Sequence, residues 1–226
     1  AASDVYKRQG FYRFNYDITE LLNLGKKNQL EVKVAKESAN RSINAAERKA
    51  DWWLFGGIYR PVWLEVLPQI HMEHFVLNAD HQGKLQAAVD MAGDAKGHEI
   101  IVSVRSLKDG KTVYTSNGQT TITHSISNSD KEQMISGEWA SIIPWSTENP
   151  NLYVAKLELK NPEGKIVQTR ETRIGFRTVE FFPQDGVYLN GTKLVVKGIN
   201  RHSFSVDGGR TTLSLIHISE PTRLDV

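Results

Sequence analysis

The sequence predicts a mainly β protein built from antiparallel sheets. Three observations carry this. Apolar residues recur at every second position through most of the chain, turn-forming pairs interrupt the runs, and no long stretch repeats with helical period. Taken in order, Asp17 to Leu24 reads as a short helical turn with Asp17 or Thr19 as its cap. Gln29 to Val34 alternates polar and apolar, which puts one face in a core and the other in water. Val62, Leu64 and Val66 repeat the pattern, with Trp63 and Leu67 covering part of the opposite face. Leu85, Ala87, Val89 and Met91 form the next stripe, and Ile100, Val102 and Val104 another.

Asp109-Gly110 then precedes Thr112-Val113-Tyr114, a hairpin signal because both turn residues tolerate positive φ. Thr120, Ile122, His124 and Ile126 continue the alternation, as do Tyr153, Ala155, Leu157 and Leu159. Asn161-Pro162-Glu163-Gly164 reads as a turn and Ile166 to Ile174 as the returning strand. Between Pro68 and Thr178 there are roughly seven such runs, the number an immunoglobulin-like sandwich needs. Lys193 to Ile199 alternates once more, with Leu194, Val196 and Gly198 on one face and Asn200 and His202 prolonging it.

The composition is that of an ordinary globular protein. A net charge of +2 leaves no basic footprint for nucleic acid. No apolar run approaches the ~20 residues that span a bilayer, and the first residues lack the pattern of a signal peptide. The absence of cysteine removes disulfides, thiolate metal sites and cysteine nucleophiles. Two Asn-x-Ser/Thr sequons, at Asn40 and Asn190, have meaning only in a eukaryotic secretory pathway.

Few residues stand out chemically. Asp51 precedes Trp52 and Trp53, so a carboxylate that accepts from sugar hydroxyls lies beside apolar ring faces; equally, Asp51 pairs with Arg60 or caps a turn while the tryptophans fill core. His202 stands just past a strand, where it either reaches a ligand or caps the strand end. Asn200 and Arg201 orient a substrate or pin the loop. His71 and His74, three apart on a strand, fall on opposite faces, which argues against a metal pair. Gly56-Gly57 opens no helix and is no phosphate cradle.

Three segments together resemble one family. Asp51-Trp52-Trp53-Leu54-Phe55-Gly56-Gly57-Ile58-Tyr59-Arg60-Pro61-Val62-Trp63-Leu64 is similar to the closing strands of the sugar-binding jelly roll of family 2 glycoside hydrolases. Pro144-Trp145-Ser146-Thr147-Glu148-Asn149-Pro150-Asn151-Leu152-Tyr153 resembles that family's sandwich domain. Gly175-Phe176-Arg177, Gly186 to Gly191 and Lys197-Gly198-Ile199-Asn200-Arg201-His202 resemble the join between the sandwich and the first strand of a (β/α)8 barrel. The match runs from about Gly10 to Thr212 in the expected order, and β-galactosidases are its best fit. One departure is Ser203, where the family commonly has an acidic residue.

The resemblance implies a domain order. Residues 10–67 are the C-terminal part of the jelly roll, 68–178 the immunoglobulin-like sandwich and 179–213 the start of the barrel. Residues 1–9 and 214–226 fit neither neighbour, resemble translated sequencing-adaptor sequence, and are expected to be non-native tails. It also implies that Asp51 and His202, with Asn200 and Arg201, contact substrate, and that Asp51 is a candidate sodium ligand. Sodium and magnesium are the cofactors it implies for the intact enzyme, carbohydrate the ligand, and a homo-oligomer a candidate assembly. The expected reaction is retaining hydrolysis of β-glycosides, galactosides first, by two carboxyl groups ~5–5.5 Å apart. Both belong to later barrel strands, so no catalytic residue is assigned in this chain, which is expected to be inactive alone. The rival expectation is a non-catalytic carbohydrate-binding sandwich.

Overall fold

A computed structural model describes residues 15–37, 39–48, 57–58 and 61–198. Leu64–Gly198 forms one compact unit, and Ala1–Trp63 with Ile199–Val226 forms another. The fold class is mainly β.

The larger unit is a two-sheet sandwich followed by a small third sheet. Strands β1 (His71–Ala79), β2 (Lys84–Ala92) and β6 (Glu132–Glu138) make one antiparallel sheet in the order β1-β2-β6. Strands β3 (Glu99–Ser106), β4 (Thr112–Val113), β7 (Tyr153–Lys160) and β8 (Ile166–Ile174) make the other, in the order β4-β3-β7-β8, with β5 (Thr121–Ser125) pairing along the rest of β3. This is the immunoglobulin-like arrangement that the strand count predicted.

The period-two stripes become the core. Leu85, Ala87, Val89 and Met91 of β2 face Ile100, Val102 and Val104 of β3 and Leu157 and Leu159 of β7, all buried. Inter-sheet burial of this kind is the main stabilising term, at about 25 cal/mol per Å² of apolar surface. The outer face of the second sheet is polar and is laced by Lys160–Glu99 (2.5 Å) and Arg105–Glu171 (3.2 Å). Gln168 clasps the two sheets: its Oε1 accepts from the Met72 N–H at 2.7 Å and its Nε2 donates to the Met72 carbonyl at 3.4 Å.

Several local expectations change. The β3–β4 turn is not a two-residue loop with both residues at positive φ. Only Gly110 is left-handed (φ 72), and the Ser106 N–H reaches the Lys111 carbonyl, closing a longer loop. Asn161 to Gly164 turns as expected, with Gly164 at φ 84 and its N–H bonded to the Asn161 carbonyl. A bulge between Met72 and His74 resets the parity of β1. His71 then pairs with Ala92 and His74 with Asp90, both on the outer face, so the two histidines share a face after all. His71 Nδ1 lies 2.8 Å from the Pro68 carbonyl oxygen.

The third sheet follows the sandwich. Strands β9 (Val179–Phe182), β10 (Gly186–Leu189) and β11 (Thr192–Leu194) form a meander in the order β11-β10-β9. The alternation from Lys193 to Ile199 thus yields a strand only as far as Leu194, paired with β10, and Val195 and Val196 are exposed. A barrel strand needs parallel neighbours on both sides, and none is present among the described residues.

In the smaller unit, Thr19–Leu21 is a 3₁₀ turn, with Asp17 Oδ1 accepting from the Thr19 N–H at 2.9 Å. The Thr19 side chain first, and then its backbone N–H, holds the Asp17 carboxyl below its usual range. A helix, α1 (Arg41–Arg48), follows Asn40, whose Oδ1 accepts from the Ser42 N–H; its two turns are too short for a periodic signal. Residues 29–34 and 61–67 join no ladder, and Leu30 is 79 % and Val32 58 % exposed. An alternating run becomes a strand only where a neighbour takes its N–H and C=O groups, and no described strand does so here.

Candidate functional site

All four predicted substrate contacts, Asp51, Asn200, Arg201 and His202, lie outside the described residues, as do Trp52, Trp53 and Arg60. What the structure does place is the part of the chain that precedes Asn200 in sequence. Parts of Pro144–Tyr153, Gly175–Arg177 and Gly186–Gly191 converge on one corner of the sandwich.

Phe176 is the base of that corner. It is fully buried and meets Tyr153 edge to face, with centroids 5.3 Å apart at 86°. The Tyr153 hydroxyl accepts from the Ile143 N–H at 2.7 Å, so the ring also ties down the loop ahead of Trp145. The Trp145 N–H then donates to the Phe176 carbonyl at 2.9 Å, and the Arg177 guanidinium stacks 5.0 Å from the Trp145 ring. Gly175 is glycine because Trp145 leaves no room: an added Cβ would lie 3.0 Å from the Trp145 Cβ. The Arg177 N–H donates to the Ala79 carbonyl, and Thr178 Oγ1 lies 2.7 Å from His81 Nδ1, which anchors the corner to the end of β1. Asn190, in the β10–β11 turn, completes it. Its Oδ1 accepts from the Thr178 N–H and its Nδ2 donates to the Trp145 carbonyl, both at 2.9 Å.

Sequence reasoning marked these segments but not their contacts. The one available signal was the Asn-Gly pair at 190–191, a turn whose first side chain is free to hydrogen-bond elsewhere.

The third sheet has a shallow depression of ≈ 320 Å³ lined by Glu180, Phe182, Asp185, Tyr188 and Gly191. Asp185 accepts from Lys193 Nζ and from the Tyr188 hydroxyl, each at 2.6 Å, and Phe182 meets Tyr188 edge to face at 5.0 Å. The lysine first, then the tyrosine, holds the Asp185 carboxyl below its ordinary value, and the carboxylate raises the Tyr188 phenol in turn. The charged Asp185 is therefore the form the sheet favours, and so is the neutral Tyr188.

A pH dependence follows. The Asp185 contribution is present above 3.8, its ordinary value, and is lost as pH falls through the lowered folded value. The Tyr188 contribution is present below 10.0 and is lost as pH rises through the raised one. NMR of the Tyr188 and Phe182 ring protons should show one state between these limits and a change at each end. Asp185→Asn should remove the acid transition; its persistence in that variant would assign it elsewhere.

A second depression, of ≈ 250 Å³, runs between β5 and β6, with Thr115, Ser116, Gln119, Thr123, Ser136 and Glu138 in its lining. The second hollow has one carboxylate in its lining, Glu138, and in the first the Asp185 carboxylate is engaged by Lys193 and Tyr188.

Comparison with known proteins gives the context of this corner. The family model for glycosyl hydrolases family 2 matches residues 70–177, the sandwich. β-Galactosidase BgaC of Bifidobacterium adolescentis is 30 % identical over 217 residues, covering 91 % of this chain and 20 % of that protein. A putative β-glucuronidase of Formosa agariphila is 27 % identical over 225 residues, covering 92 % of this chain and 24 % of that protein. Among solved structures, the β-glucuronidase of Parabacteroides merdae superposes with a TM-score of 0.56 at 25 % identity, covering 73 % of this chain and 20 % of that one. The chain thus spans about a quarter or less of the length of these relatives. A family signature across the whole sandwich, similarity that extends to both sides of it, and a matching fold place the chain in glycoside hydrolase family 2.

Proposed function

We propose that this chain supplies the scaffold and part of the sugar pocket of a retaining β-glycoside hydrolase, with terminal β-galactosides as substrate. The observation that carries the reading is the 30 % identity to a β-galactosidase over 91 % of the chain, a length that extends well beyond the sandwich. In this reading Asp51 accepts hydrogen bonds from sugar hydroxyls, and His202 donates to a hydroxyl whose bond strengthens in the transition state. Asn200 and Arg201 hold the loop that presents His202. The acid that protonates the leaving oxygen and the carboxylate that attacks the anomeric carbon come from later strands of the barrel, so the 226 residues alone hydrolyse nothing. Sodium at Asp51 and magnesium belong to the same proposal. Among the described residues no three His, Cys, Asp or Glu side chains cluster as a metal site.

β-Glucuronides are the second reading, favoured by the Formosa agariphila and Parabacteroides merdae relatives. The test is kinetic, on the intact protein carrying this chain, with p-nitrophenyl β-galactoside and p-nitrophenyl β-glucuronide. Asp51→Ala and His202→Ala should each lower kcat/KM by roughly 10- to 100-fold, the equivalent of one charge-assisted hydrogen bond. Unchanged kcat/KM in both variants would remove these residues from the pocket. Absence of turnover on either glycoside would refute the substrate class.

A further inference from the structure

We infer that Asn190 is a positioning residue: its side chain is a clamp that fixes the orientation of the third sheet, the segment that precedes residues 200–202 in sequence, against the sandwich. The inference rests, for its functional weight, on the reading that those residues touch the sugar.

The turn by itself does not call for this side chain. Asn190 and Gly191 sit at φ 51 and 78 between paired Leu189 and Thr192, a two-residue turn with both positions left-handed. Glycine at position 190 would make that turn equally well. What asparagine adds is reach. Its Oδ1 holds the Thr178 N–H and its Nδ2 holds the Trp145 carbonyl, while its backbone N–H donates to the Thr178 carbonyl. One residue is therefore bonded to two separate segments of the sandwich. Both are themselves fixed, Trp145 by the Phe176 carbonyl and the Arg177 stack, Thr178 by His81.

Little else holds the third sheet at its angle. Leu189 is its one buried apolar residue, whereas Val179, Phe181 and Phe182 are exposed, Phe181 to 76 %. A sheet with so small a packed face is not oriented by burial, so hydrogen bonds to the clamp set its attitude. β11 ends at Leu194, and the next four residues make no ladder before position 199. The same bonding engages Asn190 Nδ2, the atom a glycan at that sequon would need.

The test compares N–H residual dipolar couplings of the 226-residue chain with those of Asn190→Gly and Asn190→Asp. In Asn190→Gly the Leu189–Thr192 cross-strand contacts should persist and the sandwich couplings stay unchanged. Couplings of β9 to β11 should shrink and no longer fit the orientation defined by the sandwich. Asn190→Asp keeps the acceptor for the Thr178 N–H and should restore part of the fit. If the Asn190→Gly couplings fit as well as the wild type's, other contacts orient the sheet and the inference fails. If the cross-strand contacts vanish in that variant, Asn190 acts through the turn, and the inference fails equally. No sugar enters this experiment, so its failure leaves the proposed function standing. Unchanged kinetics in the Asp51 and His202 variants would remove the sugar role without touching the clamp.

Discussion

Phe176→Ala is expected to cost about 3–5 kcal/mol of unfolding free energy, the range for truncating a fully buried phenylalanine. Nothing of the ring is exposed, and its loss also removes the edge-to-face contact with Tyr153. The cavity cannot collapse easily, because the walls are held by hydrogen bonds: Trp145 N–H to the Phe176 carbonyl and Arg177 N–H to the Ala79 carbonyl. Urea unfolding followed by tryptophan fluorescence measures the loss, and Phe176→Leu should lose markedly less. A cost below about 1 kcal/mol for the alanine variant would mean that the corner repacks around the gap. The effect bears on function because the Trp145–Tyr153 segment and the Gly175–Arg177 segment, both part of the family resemblance, meet at this residue. A softened Phe176 corner should loosen Trp145, one of the two segments that hold Asn190.

Gly83→Ala is the second large effect, with a different cause. Gly83 lies in the β1–β2 turn at φ 98, where a side chain is strained whatever the space around it. Its Cβ would stand 2.3 Å from the Trp139 carbonyl oxygen, a backbone atom that is itself held by the bond from the Trp139 N–H to the Gly83 carbonyl. Strain and overpacking each cost about 1–3 kcal/mol, so a total of roughly 3 kcal/mol or more is expected. Gly164→Ala isolates the first of these, since Gly164 has φ 84 and open space around it. Chemical denaturation of both variants gives the difference directly. Equal losses at Gly83 and Gly164 would show that the Trp139 carbonyl yields at little cost.

The sequence alone determined the sandwich. Its signal is the period of two, and along Leu85 to Met91, Ile100 to Val104 and Tyr153 to Leu159 that period was enough, because each stripe had a facing stripe to bury against. The turn at Asn161 to Gly164 was equally legible, since its glycine supplies the one positive φ the loop requires. Family membership was legible too, in short segments whose order carried the information.

The tertiary structure decided the remainder. Identical alternation at Gln29 to Val34 and at Lys193 to Ile199 gave no strand in the first case and a three-residue strand in the second. A period of two records which face a residue prefers, not whether a neighbour exists to pair with it. The bulge at Met72 to His74 moved two histidines onto one face, a shift of one residue that no periodicity contains. The corner of Trp145, Phe176, Arg177 and Asn190 joins positions up to 45 apart in sequence, and its bonds depend on where the chain returns in space. Asp51 and His202 remain assignments of the sequence, since a pocket residue is defined by what it faces once the chain has folded.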